Sequence, residues 1–378
     1  MRFSVEQLRG YTLARQGLLQ RLPSAALTRL GPLYAGDHTA PYLALLARIQ
    51  NFAWEQFADA WYDDGAFVRL HSLRDTPHII PVEYADIVGS AYNLDEGDRF
   101  APFDEYDISF EEAVELRFFI SELLAGRGPL SGADLKTLLD PDLIFEHVSA
   151  TGHQMTSIHP VLAWMWRLGV LGYGAGVSDW RHKDAHYRLS PTPPPPTDPE
   201  VRRRADQQLA QWYFLLYGPA SYQDWVHWSG LDDSRCQMAF AALEPDLVAI
   251  EVADMAAQLW MLSGEYPAFT ETPADLPPMV RLLPAEDAFL HAYAQTRSRF
   301  YDTEGLAGEI IFNRHGQAEP TVWVDGRIIG VWSWHKKADE PMTVEPFEQM
   351  TRALRKRLKD EVERVQQFTQ ASHVLWIS

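Results

Sequence analysis

Residues 218–225 read Gly-Pro-Ala-Ser-Tyr-Gln-Asp-Trp, and residues 128–135 repeat the pattern as Gly-Pro-Leu-Ser-Gly-Ala-Asp-Leu. Because proline cannot continue a helix, Gly-Pro predicts the end of the amphipathic helix that precedes each copy. The serine is then expected to cap the next helix, with the aspartate three residues later as its capping-box partner. Each copy therefore predicts a helix, a tight turn and a second helix, which is how a helix-turn-helix unit begins.

The segments that follow both copies continue in the same order. A third helix is predicted at residues 160–168, where Ser157 is a candidate cap, and at residues 233–243 after the second copy. Pairs of short apolar runs, typical of β-hairpins, come next at 170–173 with 185–189 and at 247–252 with 258–262. Helix, helix, helix, hairpin is the order of a winged helix, and such units favour nucleic acid as the partner. The alternative to two winged helices is a pair of ordinary helical hairpins without a nucleic-acid partner.

The remaining segments suggest further domains. Residues 67–80 predict a β-hairpin within a mainly helical N-terminal region, and the proline-rich residues 191–197 predict a stiff linker. Near the C-terminus the period changes to that of strands, with apolar runs at 309–312 and 320–324. Asp325-Gly326 follows the second run and precedes another at 327–334, and Asp-Gly between two apolar runs is a strong hairpin signal. A helix is predicted from residue 345 to 369, and a last strand at 374–377 is expected to close a small barrel or sheet.

We therefore predict a mainly α fold with β structure, of the α+β class. It consists of tandem winged helices and a C-terminal β-rich domain that carries a long helix. The predicted domains are an N-terminal helical region with a β-hairpin at 1–108, winged helices at 109–190 and 198–263, and a barrel-like α/β domain at 275–378.

Composition limits the possible functions. The chain has 378 residues, 46% of them hydrophobic, so it is globular, and no apolar run reaches the roughly 18 residues of a membrane helix. Its single cysteine, Cys236, excludes an internal disulfide and a cysteine-based zinc site, which favours a reducing cytoplasm. The net charge of −19 counts against DNA binding, although the local field of a groove matters more than the sum.

Four stretches carry a family resemblance: residues 73–80, 217–231, 280–290 and 320–332. With them the chain resembles the AlkZ-like winged-helix DNA glycosylases, which unhook interstrand crosslinks, over most of residues 1–335. The resemblance implies tandem winged helices and a C-terminal β-rich domain around a concave DNA-binding surface. It also implies a Gln-x-Gln or Gln-x-Asp motif near the N-terminus that positions the hydrolytic water.

At that motif the chain departs from the family. Aligned by Asp37 and by the helix that contains residues 42–45, the two motif positions fall on Tyr34 and Gly36. Neither residue holds a water as a carboxamide does. Asp37 is the nearest carboxylate, so it is the candidate general base or oxocarbenium-stabilising group, or else the N-cap of the following helix. Tyr34 is expected either to stack on a base or to pack in the interior.

Basic side chains distributed over the chain are the candidate DNA contacts, with simple solvation as the alternative for each. Those near the first hairpin are expected to touch phosphate or the minor groove. Arg235 and Gln237 lie early in the third helix of the second unit, where base readout occurs in helix-turn-helix proteins. The full set of predicted contacts is Arg69, Arg74, His78, Arg202, Arg203, Arg235, Arg297, Arg299, Arg314, Lys336 and Lys337.

No metal or cofactor is expected. His182 and His186 are four residues apart with Asp184 between them, but the segment is predicted to be a wing and lacks a convincing third ligand. No phosphate-binding glycine loop, zinc-protease or hydrolase motif is present.

These features predict a cytoplasmic, nucleoid-associated protein of DNA repair. It is expected to grip the backbone of duplex DNA, damaged or distorted, without strong sequence specificity. Two alternatives remain: an active monofunctional glycosylase with an altered motif around Asp37, and a protein–protein scaffold that has lost DNA binding, which the acidic charge favours.

Overall fold

The computed structural model describes residues 2–92, 108–144, 146–148, 154–174, 179–181, 186–190, 198–301, 307–337 and 339–377. The chain divides into two compact units, which we call unit 1, Met1–Trp54 with Asp206–Ser378, and unit 2, Glu55–Ala205. The division between Ala205 and Asp206 falls inside a helix, and the predicted linker at 191–197 lies outside the described residues. The four predicted domains stay a prediction.

Helices account for much of the described chain. They are α1 Val5–Arg15, α2 Ala40–Arg48, α3 Trp54–Ala58, α4 Ala85–Tyr92, α5 Phe110–Arg127, α6 Gly132–Leu138, α7 Ile158–Arg167, α8 Pro199–Tyr217, α9 Tyr222–Ser229, α10 Asp233–Leu243, α11 Tyr266–Thr270, α12 Ala288–His291, α13 Ala307–Ile311 and α14 Arg352–Thr369. None of these described helices is long and apolar enough to cross a membrane.

The strands are short and belong to several small sheets. They are β1 Arg2–Phe3, β2 Leu33–Tyr34, β3 Phe67–Ser72, β4 Thr76–Pro81, β5 Leu130–Ser131, β6 Glu146–Val148, β7 Gln154–Thr156, β8 Leu171–Tyr173, β9 His186–Leu189, β10 Leu247–Val252, β11 Leu259–Leu262, β12 Val280–Leu283, β13 Thr321–Val324, β14 Arg327–Ser333, β15 Met342–Pro346 and β16 Val374–Trp376. The mixture of helices and small sheets confirms the predicted α+β class.

The capping boxes predicted at the two Gly-Pro repeats are both present. Ser131 Oγ accepts the N–H of Asp134 at 3.1 Å, and Ser221 Oγ accepts the N–H of Asp224 at 3.1 Å. In both copies the aspartate accepts the backbone N–H of its serine in return. Helix α10 and strand β10 begin and end at the predicted residues. Local sequence therefore specifies these turns correctly.

In unit 2, helices α5 and α7 pack on the hairpin of β8 and β9, and α6 packs on β5, α5 and α7. Strand β9 pairs antiparallel with both β5 and β8, so the turn before α6 is joined to the hairpin. Ser157 is at the N-cap of α7, but its side chain makes no capping hydrogen bond. The core of this region includes Leu116, Ile120, Leu135, Trp164, Met165 and Leu171.

In unit 1, the second repeat encloses a cluster of aromatic rings. The rings of Trp225 and Trp228 lie 5.9 Å apart, and that of Tyr213 lies 5.1 Å from Trp228. The adjoining hairpin of β10 and β11 is extended by β1, which runs parallel to β10. These ring contacts pack helices α8 and α9 against each other.

The C-terminal part of unit 1 contains a five-stranded sheet in the order β12-β13-β14-β15-β16. The turn between β13 and β14 has left-handed backbone angles, with φ of 50° at Asp325 and 75° at Gly326. This is the geometry that the Asp-Gly signal predicts. Helix α14 packs on β12, and its buried face includes Leu358, Val362 and Val365.

Two predictions for this part of the chain are wrong. Residues 307–311 form helix α13 instead of a strand, and the long C-terminal helix begins at Arg352 instead of residue 345. The reason for the later start is that β15 pairs with β14 and β16, while Thr351 Oγ1 caps the helix at Leu354 N. Helix α8 starts at Pro199, because proline is tolerated in a first helical turn.

Candidate functional site

Tyr34 and Gly36 of unit 1, the two predicted motif positions, are in steric contact. Tyr34 ends β2, and its ring lies over the backbone of Gly36. A Cβ atom added at Gly36 would lie 2.1 Å from the Tyr34 hydroxyl oxygen and 2.4 Å from Cζ, closer than van der Waals contact permits. The phenol of Tyr34 therefore takes the space of a side chain at position 36. A side chain at position 36 would therefore require the Tyr34 phenol to move.

Asp37 follows directly and connects the start of α2 to the C-terminal part of the chain. Its Oδ1 accepts hydrogen bonds from Thr39 N at 2.8 Å and Thr39 Oγ1 at 2.7 Å. Lys336 Nζ lies 3.1 Å from Oδ1 and 3.0 Å from Oδ2, although 299 residues separate the two in sequence. Thr39, not Asp37, is the N-cap residue of α2, and Asp37 supports this start from two residues earlier.

The environment of Asp37 keeps its carboxylate ionised at neutral pH. Burial raises the pKa of Asp37, but hydrogen bonds from Thr39 and Lys336 and the charge of Lys336 outweigh burial, so the net pKa is lowered. The side chains of Asp37 and Lys336 are each 45% exposed. Asp37 is therefore an accessible anion that stabilises positive charge, and its low basicity makes it a weak proton acceptor.

A buried ion pair lies near this segment. Arg48 Nη1 and Nη2 donate to the two carboxylate oxygens of Asp287 at 2.8 and 2.6 Å, and the side chains are only 3% and 2% exposed. Arg48, Asp287, Tyr34, Ala44 and Tyr217 are among the residues that line a cavity of about 10 Å³. That volume holds about one water molecule. A flipped nucleobase does not fit in it.

The steric link gives a testable prediction. Gly36→Ala is expected to lower the free energy of unfolding by about 1–3 kcal/mol, because the methyl group must displace the Tyr34 ring. In a Tyr34→Ala background the same change is expected to be neutral or to stabilise by about 0.4–1 kcal/mol, since the space is then open. Urea unfolding of the four proteins of this double-mutant cycle measures the coupling.

A matched control is Gly264→Ala, because an added Cβ at Gly264 meets no atom within 4 Å. We expect no destabilisation from this change. Equal effects of Gly36→Ala in both Tyr34 backgrounds would contradict the steric link.

In unit 2, the hairpin of β3 and β4 contains three of the predicted DNA contacts, Arg69, Arg74 and His78, and their surroundings differ. The Arg69 guanidinium lies over the rings of Trp166 at 4.7 Å and Tyr173 at 5.7 Å. Arg74 is at the turn, with a left-handed φ of 50°. His78 is only 1% exposed, and its Nδ1 lies 3.1 Å from the Thr76 carbonyl oxygen. The imidazole of His78 is thus buried against the backbone of its own hairpin, and its predicted contact with DNA stays a prediction.

The tip of this hairpin is stabilised by charged groups. Asp75 Oδ1 lies 2.6 Å from His71 Nε2, and Arg167 Nη2 donates to Asp75 Oδ2 at 3.1 Å. The hydrogen bond with His71 is the main reason that the pKa of Asp75 is lowered, and the charge of Arg167 adds to the effect. The tip is thus tied to α7 within unit 2.

The basic residues around the second repeat are mostly engaged with carboxylates. Arg203 pairs with Glu200 one turn earlier in α8, and both side chains are about half exposed. Arg202 is at the same end of α8 and is half-buried. In α10, Arg235 donates through Nε and Nη2 to Asp206 at 2.9 and 2.6 Å. Arg235 therefore joins α10 to α8, and this pairing opposes its predicted role in base readout.

The remaining candidates lie in the C-terminal part of unit 1. Arg297 stacks over Phe312 at 4.3 Å, whereas Arg314 and Lys337 are exposed. Arg299 is only 4% exposed and lies over the Tyr293 ring at 4.0 Å. The predicted role of Arg299 as a DNA contact stays a prediction. Lys336 is the one candidate in the described chain that the fold brings to Asp37.

For metal binding, no group of three His, Cys, Asp or Glu among the described residues is placed to hold an ion. His182 and Asp184 lie outside these residues, and His186 is the first residue of β9. Sequence reasoning missed Arg48, whose buried partner Asp287 is distant in sequence. The Glu-Asp pair at 286–287 within one of the resembling stretches was the available signal.

Comparisons with known proteins agree on one family. A family model described as AlkZ-like, DNA glycosylase AlkZ-like, matches residues 27–368. Among solved structures, the chain is similar to Streptomyces sahachiroi DNA glycosylase AlkZ, with a TM-score of 0.72 and 20% sequence identity over 100% of both chains. A search of curated proteins found no match. At this identity the structural likeness establishes the fold.

Proposed function

We propose, because the chain belongs to the AlkZ-like DNA glycosylase family, that it is a DNA-binding protein of DNA repair. The observation that carries the proposal is the family match over residues 27–368, together with the shared fold along the whole chain. Duplex DNA, including damaged or distorted DNA, is the proposed partner. We place the activity in the cytoplasm, in association with the nucleoid.

Binding without strong sequence specificity is supported by the second repeat. A helix-turn-helix protein reads bases with side chains at the start of its third helix. Here Arg235 is held by Asp206, so its guanidinium is committed to the interior face of α10. Exposed cations such as Arg314 and Lys337 are suited to phosphate, which carries no sequence information.

The altered motif supports binding without base excision. Tyr34 and Gly36 provide no carboxamide to orient a water, and the Tyr34 phenol covers Gly36. A specific observation nevertheless favours glycosylase activity as a second candidate. Asp37 is an ionised and accessible carboxylate at the motif, and such a group stabilises an oxocarbenium-like sugar.

A salt titration tests the binding proposal. We expect affinity for duplex DNA to fall steeply with salt, because phosphate contacts release counterions. Lys337→Gln is expected to reduce the slope of log K against log salt by about 0.9, the value of one phosphate contact. Lys359→Gln is the matched control, because Lys359 pairs with Glu363 on the exposed side of α14. No binding at low salt would favour the scaffold alternative.

Scoring the same reactions for abasic sites separates the two candidates. We expect none from alkylated or crosslinked duplex under the binding proposal. Abasic sites would support the glycosylase, and Asp37→Asn would then be expected to abolish them without loss of binding, since asparagine still accepts the hydrogen bond from Thr39. Activity that persists in Asp37→Asn would exclude a catalytic role for Asp37.

A further inference from the structure

Unit 1 contains an open cleft of about 790 Å³ that is separate from the Tyr34–Asp37 segment. It lies where the loop after α1, the end of α2, strand β12 and the last turns of α14 meet. Its polar lining consists of arginine and amide side chains: Gln20, Arg21, Gln50, Asn51, Arg281, Arg364 and Gln367. These groups supply many hydrogen-bond donors that face one space.

The cleft has an excess of positive charge. Arg21 Nη2 and Arg364 Nε both donate to the same oxygen, Oε2 of the buried Glu361. Arg281 makes no ion pair in the described chain and donates instead to the carbonyl oxygens of Val280 at 2.7 Å and Leu19 at 3.1 Å. Two guanidinium groups thus share one carboxylate, and the third, that of Arg281, has no carboxylate partner among the described residues. Two positive charges remain without a counter-ion.

Burial makes this excess costly. Arg281 is only 7% exposed, and its Nε has no hydrogen-bond partner, nor does Nε of Arg21. Desolvation, with the neighbouring charges of Arg21 and Arg364, lowers the pKa of Arg281 to about 10, so it stays protonated at neutral pH. Desolvation also lowers the pKa of Arg364. A protein retains such uncompensated charge at a cost that a bound anion offsets.

We propose that this cleft is a phosphate-binding site, in which the guanidinium groups of Arg21, Arg281 and Arg364 and the amide of Gln367 bind the phosphate oxygens. Arginine suits this role because its planar donors match phosphate geometry. Glu361 orients Arg21 and Arg364 through the hydrogen bonds that both donate to its Oε2. The inference goes beyond the proposed function, since the cleft binds phosphate whether the group belongs to DNA or to a free ion.

The test uses the full chain and inorganic phosphate as the probe. Thermal unfolding is followed with increasing phosphate against chloride at equal ionic strength, and we expect a saturable rise of the midpoint in phosphate alone. Gln367→Glu places a carboxylate in the cleft without removing any of the arginine contacts. We expect this variant to unfold at the same or a higher temperature than the wild type, and to lose the phosphate-dependent rise.

Lys356→Gln is the control, because it makes the same charge change at an exposed position of α14 outside the cleft. It is expected to retain the response. No saturable rise in the wild type, or an equal rise in Gln367→Glu, would overturn the proposal.

A second arm identifies the source of the phosphate. If the salt slope of DNA binding is smaller in Gln367→Glu than in Lys356→Gln by about 0.9, the cleft holds a DNA backbone phosphate. If the two variants have equal salt slopes of DNA binding, and phosphate still raises the unfolding midpoint of the wild type, the cleft binds a free phosphate. Because the phosphate response is measured without DNA, failure of the proposed function and failure of this inference give different results.

Discussion

Asp224→Ala is expected to lower the free energy of unfolding by about 3–5 kcal/mol, because several buried donors lose their acceptor together. Asp224 is 0% exposed. Its Oδ1 accepts the N–H groups of Ala294 at 2.8 Å, Gln295 at 2.8 Å and Thr296 at 3.2 Å. Its Oδ2 accepts the Thr296 hydroxyl at 2.7 Å and the N–H of Ser221 at 3.1 Å. One carboxylate thus joins the second repeat to residues 294–296.

The first repeat supplies the matched control for this experiment. Asp134 has the same position in its capping box and makes the same bonds to its serine, but it is exposed and binds no distant segment among the described residues. We expect Asp134→Ala to change the urea midpoint far less than Asp224→Ala, with tryptophan fluorescence as the readout. Similar losses in both variants would show that helix capping alone explains the role of Asp224.

Asp287→Ala is expected to destabilise the protein by about 3–5 kcal/mol, because it leaves the Arg48 charge buried without its partner. The two side chains are 3% and 2% exposed, and both carboxylate oxygens accept from the guanidinium. Asp287 Oδ1 also accepts the N–H of Phe289 at 3.0 Å, so α12 loses its cap as well. Urea unfolding with a constant m-value measures the loss.

Two further variants test whether the unpaired Arg48 charge causes the loss of stability in Asp287→Ala. Arg48→Met combined with Asp287→Ala is expected to be more stable than Asp287→Ala alone, because no unpaired charge is then buried. Arg357→Ala breaks the half-exposed pair with Asp325, and we expect a change of about 0–1 kcal/mol. A double variant as unstable as Asp287→Ala would refute unpaired charge as the source of the loss.

These effects bear on the proposed function because the Arg48–Asp287 pair and the Tyr34 ring border the same small cavity. The motif segment is therefore supported by buried groups, and its altered residues fit their surroundings. That Tyr34 and Gly36 occupy the positions of the family's carboxamides stays a prediction. The abasic-site assay decides whether any chemistry remains at Asp37.

The sequence by itself determined the local elements of this protein. Ser131 and Ser221 cap their helices as the repeat predicts, and Asp325-Gly326 forms the turn of its hairpin. These structures depend on residues within a few positions of one another, through backbone angles and short hydrogen bonds. The same locality made the family resemblance recognisable from short stretches, and the family match agrees with it.

Only the tertiary structure decided what equivalent residues do. Asp134 and Asp224 have identical local patterns, yet only Asp224 is buried against residues 294–296. Lys336 meets Asp37 across 299 residues, and three arginines from separate elements share the carboxylate of Glu361 or face it. Burial and charge pairing arise between segments distant in sequence, so no local pattern encodes them. The fold therefore decides which cations are free to bind phosphate and which are committed to the interior.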